Sequence, residues 1–265
     1  LITMCAVVGM ILAISGVAKA GYVQGFETDI VGWDVFGGAY DAVRVDSGNN
    51  GIASLEGSYY PYLSSYHGEV GGGATNWGGY SDVFPAGGFV TSVAVYLDVD
   101  GGASNDTRFD FTSALNGTDG NHRRDFAFNG GFYNDESLGN RFVFSASNTA
   151  GRGDAYPKNP GRDPFAISTS GWYYLQHDFY DAGAGVVAVD LSILNATGST
   201  IKTWTLSDLT DIANDTAGGN RYGWFASNEF PFLAIDNSSL TVVPEPATMV
   251  LLGLGGLLIR RKRRA

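Results

Sequence analysis

The chain has 265 residues, of which 44% are hydrophobic and 13% aromatic, with 38 glycines, one cysteine and a formal net charge of −11. That length buries a core without disulfides, and one cysteine excludes a disulfide framework. The excess of acid argues against binding nucleic acid or an anionic membrane face through bulk charge.

Residues 4–17 are apolar apart from Ser15 and glycines, and Ala18-Lys19-Ala20 forms a small-residue cleavage pattern before Gly21. Residues 1–20 therefore read as a secretory signal peptide for the Sec translocon, although no Lys or Arg precedes the apolar region. Cys5 lies ahead of the apolar run rather than after it, so a lipoprotein cleavage site is not expected. With Lys19, the five tail bases and Glu245 set aside, residues 21–243 carry 10 bases and 26 acids, a net of −16. Such a balance permits cation binding and favours solubility outside the cell.

From residue 21 onward, helix signals are almost absent. Short apolar-alternating runs recur between clusters of Gly, Asn and Asp, the pattern of an all-β sandwich or barrel. The first predicted strand covers residues 22–26. Strands at 42–45 and 52–55 flank a turn whose Asn50-Gly51 is a hairpin cue. Residues 89–99 place Val93, Val95 and Leu97 on one face, and residues 108–115 turn Phe109 and Phe111 inward with Asp110 outward. Strands follow at 123–133, 141–146 and 172–180, the last aromatic on both faces, and then the stripe Val187, Val189, Leu191, Ile193. Residues 200–206, 222–227 and 233–242 complete about twelve strands, with residues 207–213 predicted as a helical turn. Composition does not break until the tail, so residues 21–243 read as one domain, an antiparallel two-sheet jelly-roll sandwich.

Two segments are too long for simple turns, residues 57–88 and 149–170, and long loops in compact domains are usually functional or disordered. The first holds seven aromatic rings among nine glycines. Aromatic rings present an apolar face to sugar C–H groups and a polar tip to hydroxyls. Trp77 and Tyr80, with Tyr60, are the expected glycan-stacking platform; covering the edge of the core is their ordinary alternative role.

Catalytic signals are weak. Glu56, Glu69, Glu136 and Glu229 are scattered at loops or strand ends, and no close-spaced carboxylate pair suited to a retaining glycosidase is evident. The sequence from Asp98 begins like a calcium loop but has Phe109 at the twelfth position, where Glu is needed. His67, His122 and His177 are too dispersed for a zinc site, and no nucleophile elbow or phosphate loop occurs.

The tail reads Pro244-Glu245-Pro246, thirteen uncharged residues (247–259), then Arg260, Arg261, Lys262, Arg263 and Arg264. Thirteen helical residues span roughly 20 Å, short of a ~30 Å hydrocarbon core, though Arg260 can snorkel and the bilayer can thin. The basic cluster orients this short membrane helix with its end in the cytoplasm. The two prolines keep the preceding segment extended and open to a processing enzyme. Residues 244–265 resemble the PEP-CTERM sorting signal of Gram-negative bacteria. That resemblance implies recognition by an exosortase, a membrane cysteine protease, and removal of the tail near Pro-Glu-Pro.

The ends of the body, Phe26-Glu27 with Gly32-Trp33 and Ile235-Asp236-Asn237, resemble jelly-roll carbohydrate-binding modules; a concanavalin A-like sandwich is compatible too. In such modules the corresponding Glu and Asp share a structural Ca²⁺, which implies Glu27 and Asp236 as ligands here; as solvated strand-edge acids they would have no such role. Glu27-Thr28-Asp29 lacks the last Glu of the Glu-x-Asp-x-x-Glu motif of jelly-roll glycoside hydrolases. The expectation is therefore a non-enzymatic exported protein, briefly held in the inner membrane and released to the cell surface or extracellular matrix, binding polysaccharide or contributing structure. The alternative is a glycoside hydrolase or polysaccharide lyase, which would assemble a carboxylate pair or a Tyr/His/Arg group on one face.

Overall fold

A computed structural model describes residues 20–35, 42–65, 72–79, 84–117, 121–135, 137–148, 156–212 and 216–243. Residues 1–19 of the expected signal peptide (1–20) and the sorting tail from Pro244 onward lie outside them, while Ala20 opens β1. In chain order the strands are β1 (Ala20–Gln24), β2 (Trp33–Val35), β3 (Ala42–Asp46), β4 (Tyr59–Leu63), β5 (Gly73–Thr75), β6 (Phe89–Leu97), β7 (Thr107–Gly117) and β8 (His122–Tyr133). They continue as β9 (Arg141–Ser147), β10 (Phe165–Ile167), β11 (Gly171–Asp181), β12 (Val186–Asn195), β13 (Thr200–Ile212), β14 (Thr216–Ala226) and β15 (Leu233–Val242).

The strands form two antiparallel sheets, and the fold is the expected jelly-roll sandwich. The first sheet runs β13-β12-β11-β6-β15-β4-β3, with β1 also paired to β15. The second runs β10-β9-β8-β7-β14-β5-β2. Period-two alternation sends one set of side chains from each sheet inward. The first sheet supplies Val93, Val95, Leu175, Phe179, Val189 and Leu191; the second supplies Phe109, Phe111, Phe126, Phe128, Phe142 and Phe144, and all are fully or almost fully buried. Burial of each such side chain is worth about 1.5–3 kcal/mol before chain entropy is charged against it. Ring geometry adds order: Phe89 stacks on Phe179 at 4.5 Å, and Phe111 meets Phe225 at 4.7 Å.

Three expectations about elements are corrected. Residues 52–55 are not a strand. The segment 47–56 folds back over the outer face of the first sheet, where Ile52 joins Tyr60, Ala94, Trp172 and Ala234 in a second, smaller cluster. Trp172 Nε1 donates to Ala53 O at 2.8 Å and Tyr60 Oη to Asn49 O at 2.6 Å, which ties the segment down. The hairpin partner of β3 is β4, inside what reads as a long loop, and that loop also holds β5. Residues 207–212 are not helical: they extend β13, which pairs with β12.

Candidate functional site

Of the expected stacking residues, Trp77 has no accessible face. It is completely buried, its ring packed edge-on with Tyr22 at 6.1 Å. A Cβ at Gly223 would fall 2.4 Å from Trp77 Cζ2, so the strand passes directly under the indole. Tyr60 is equally enclosed, 1% exposed, with its hydroxyl committed to Asn49 O. A buried ring offers no plane to a sugar, so these two are structural. Tyr80 and the sorting residues Pro244, Glu245, Pro246 and Arg260–Arg264 lie outside the described residues, as does His67.

Glu27 and Asp236 do come to one place. Pairing of β1 with β15 sets the chain ends side by side. Both carboxylates hold the loop before β4 by its amides. Asp236 Oδ2 accepts from Leu55 N at 2.9 Å, and Glu27 accepts from Ser58 N at 3.0 Å and Tyr59 N at 3.2 Å. Asp236 is fully buried, and burial, with a smaller contribution from Glu27, pushes its carboxyl up to about 6. Two carboxylates alone would hold Ca²⁺ only with further oxygens from carbonyls and water. Among the described residues no group of three or more His, Cys, Asp or Glu converges to hold a metal ion.

A cleft of about 420 Å³ is formed among the described residues by the β6–β7 loop, the β14–β15 loop and the segment after β3. Its wall includes Tyr96, Asp98, Thr107, Glu229, Phe230 and Phe232. Phe232 is 56% exposed and meets Tyr62 edge-on at 5.2 Å. The β14–β15 loop is pinned from within. Asn228 is buried, donating to Ser64 O and Phe230 O and accepting from Phe230 N. Glu229 Oε2 accepts from Arg108 N at 2.7 Å, and Glu229 N donates to Arg108 O. Across the cleft Tyr96 packs edge-on against Trp172 at 5.4 Å; burial, then Asp98 and Asp100, raise its phenol above the ordinary value. A concave site lined by aromatic rings with a few hydroxyl and carboxylate groups is the usual make-up of a small-ligand site. The one sequence signal for it is Phe230-Pro231-Phe232, two large rings around a loop proline.

A carboxylate pair that sequence spacing hides appears on the outer face of the first sheet. Asp178 of β11 stands directly opposite Asp190 of β12 in the register. Burial, then the neighbouring Asp190, raise Asp178. Asp190 accepts from Thr205 Oγ1 at 2.6 Å and Tyr180 Oη at 3.3 Å. The histidines are separate. His177 is buried between Phe111 and Phe128 with Nε2 3.0 Å from Phe126 O; His122 Nε2 lies 2.9 Å from Asp125 Oδ1.

The tail matches the PEP-CTERM protein-sorting motif over residues 242–264. That motif implies a secreted, exosortase-processed surface protein. Among the described residues no helix is long and apolar enough to cross a membrane. No curated protein matches the chain. Among solved structures, the chain is similar to the CBM2 module of the evolved Dit of Lactobacillus casei BL23 phage J-1, at 11% identity and TM-score 0.44, covering 86% of this chain and 97% of that one. It is similar to the endo-β-1,4-glucuronan lyase of the fungus Trichoderma reesei, at 10% identity and TM-score 0.46, covering 85% and 96%. It is also similar to the endo-1,3-β-glucanase of Streptomyces sioyaensis, at 12% identity and TM-score 0.43, covering 85% and 97%.

Proposed function

We propose that this protein is exported by a Gram-negative bacterium, held in the inner membrane by its tail, and released by exosortase to the cell surface or matrix, where its sandwich binds polysaccharide without transforming it. The observation that carries the binding reading is the cleft, with Phe232 exposed on an anchored loop and Tyr96 also in its lining. A sugar ring stacked on Phe232 would set its hydroxyls toward Asp98, Thr107 and Glu229. Ca²⁺ bound between Glu27 and Asp236 would serve structure rather than chemistry. Polysaccharide pull-down of the body against Phe232→Ala tests the reading. Loss of one aromatic stack weakens retention by about tenfold, while an exposed substitution leaves stability within about 0.5 kcal/mol. Equal retention of both proteins removes the cleft from the account.

A second reading, a glycoside hydrolase, is favoured by Asp178 and Asp190. Directly opposed strand residues have Cβ atoms about 4.5–5.5 Å apart, which suits the ~5–5.5 Å between the carboxyls of a retaining enzyme. Asp178, raised by burial, would be the acid, and Asp190, which accepts from Thr205 Oγ1 and Tyr180 Oη, the nucleophile. Reducing-end release from neutral polysaccharides, abolished by Asp190→Asn, would establish it; no release from any of them retires it.

A further inference from the structure

Both ends of the body leave the sandwich at the same place. β1 opens at Ala20, the last residue of the expected signal peptide, and Ala20 stands opposite Thr241 of β15. Val242 stands opposite Phe89 of β6, and Val243 N donates to Gly88 O at 2.9 Å. The chain is thus held in the first sheet up to the residue before Pro244. β15 runs toward this exit from the cleft, since Leu233, its first residue, is part of the cleft wall. Asp98, just past the far end of β6, is part of that wall too. At about 3.3 Å per residue, Leu233 and Val242 stand roughly 30 Å apart. The cleft and the two chain ends therefore lie at opposite ends of the sandwich.

Residues 244–246 separate Val243 from the apolar run of the tail, and three residues reach at most about 11 Å. With the run in a bilayer, the exit end is held close to the headgroups. Phe179 of β11 is level with Phe89 and hence with Val242, and β11 continues to Asp181 before turning through residues 182–185 into β12. The tip of that turn stands roughly 10 Å beyond Val243, about the reach of residues 244–246. The tip suits close approach to lipid. Asp181, Ala182, Gly183 and Ala184 are exposed, and Ala182-Gly183-Ala184-Gly185 carries no charge. The one carboxylate, Asp181, is folded back on the turn, with Oδ1 accepting from Gly183 N at 2.8 Å and Gly185 N at 3.1 Å. A body with a net of −16 is repelled by an anionic membrane face. Lying flat on the first sheet would bring Asp178 and Asp190 to that face, whereas standing on the turn brings no free charge.

We propose that, before release, the end of the sandwich around Val243 is seated on the membrane, with the Ala182–Gly185 turn against the phospholipid headgroups and the cleft turned outward. The cleft is then open to polymer outside while the protein is still anchored. The seating rests on the reading that the tail holds the body in the inner membrane, and it does not depend on what the cleft binds. The test uses the full chain with Cys5→Ser, reconstituted in phosphatidylethanolamine–phosphatidylglycerol vesicles. A fluorescent label is placed in turn on Ala182→Cys, on Ser104→Cys in the cleft wall and on Leu254→Cys in the tail. Spin-labelled acyl chains should quench the label at position 254. Spin-labelled headgroups should quench the label at 182 and leave that at 104 bright. A flexible Gly/Ser insert of about twelve residues after Val243, roughly 20 Å in mean span, should restore the signal at 182 and leave 254 quenched. Equal quenching at 104 and 182, or a bright 182 beside a quenched 254, overturns the seating and leaves the anchor standing. Quenching at 182 that survives the insert overturns the argument from tether length. A bright label at 254 retires the anchor and the seating together.

Discussion

Trp77 and Phe232 look alike in sequence, large rings in irregular segments, and the fold gives them opposite fates. Trp77 takes a left-handed backbone, φ 54°, and turns into the core over Gly223. Phe232 follows Pro231 on a loop whose underside is already filled by Phe230, so it is left outside. Two buried ionisable side chains, His177 and Asp236, contribute to the pH response with opposite signs. Burial holds His177 down to about 3, so between about 3 and 6.5 the unfolded chain takes up a proton that the native one refuses. Its contribution is complete above 6.5 and lost as pH falls. Asp236 has the opposite sign: its native carboxyl is raised to about 6 from 3.8, so its protonated form adds stability at low pH that is lost as pH rises through about 6. In chelator the two slopes oppose each other between about 4 and 6. Urea midpoints against pH should therefore change differently in two variants. His177→Phe should lose stability relative to wild type as pH rises across that window, and Asp236→Asn should lose it as pH falls. Parallel profiles for the three proteins would remove both groups from the account.

Elements in this molecule are joined by side chains that hold backbone. The loop before β4 has no regular partner, yet Asp236 accepts the amides of Leu55 and Glu56 and Glu27 those of Ser58 and Tyr59. Gly57 makes this approach possible: its φ is +61°, and a Cβ there would fall 2.2 Å from Glu27 Cδ. Arg44 of β3 adds to the same junction, donating to Phe26 O at 2.6 Å and lying over the Tyr59 ring. A divalent cation here would replace the proton that burial favours on Asp236. The melting temperature should be higher in Ca²⁺ than in chelator, by the equivalent of about 2.7 kcal/mol at a hundredfold excess over Kd, and Asp236→Ala should abolish the difference. A wild type indifferent to Ca²⁺ would leave the two acids as amide anchors alone.

For the molecule as a whole, charge and address are divided between body and tail. Residues 21–243 carry a net of −16, while the tail ends in Arg260, Arg261, Lys262, Arg263 and Arg264. Cations at that end of an apolar run stay in the cytoplasm, so the acidic sandwich is the part delivered outside. Intact mass of the released protein should end near Pro244-Glu245-Pro246. Replacing the five tail bases with Gln should reduce the processed form and leave unprocessed chain in the membrane fraction. Full-length carboxyl ends in the released pool would contradict exosortase processing.

The sorting tail is a local signal, because prolines, an apolar run and a basic cluster act through their order along the chain, and the sequence alone carries it. The sandwich is nearly as legible, since period-two alternation such as Val187, Val189, Leu191 and Ile193 needs no knowledge of a partner strand. What alternation does not specify is which strands become neighbours. The opposition of Asp178 to Asp190 and the meeting of Glu27 with Asp236 depend on register between segments up to about two hundred residues apart. Only packing decides them, as it decides that Trp77 is enclosed and Phe232 is open, because burial depends on what the rest of the chain places on top.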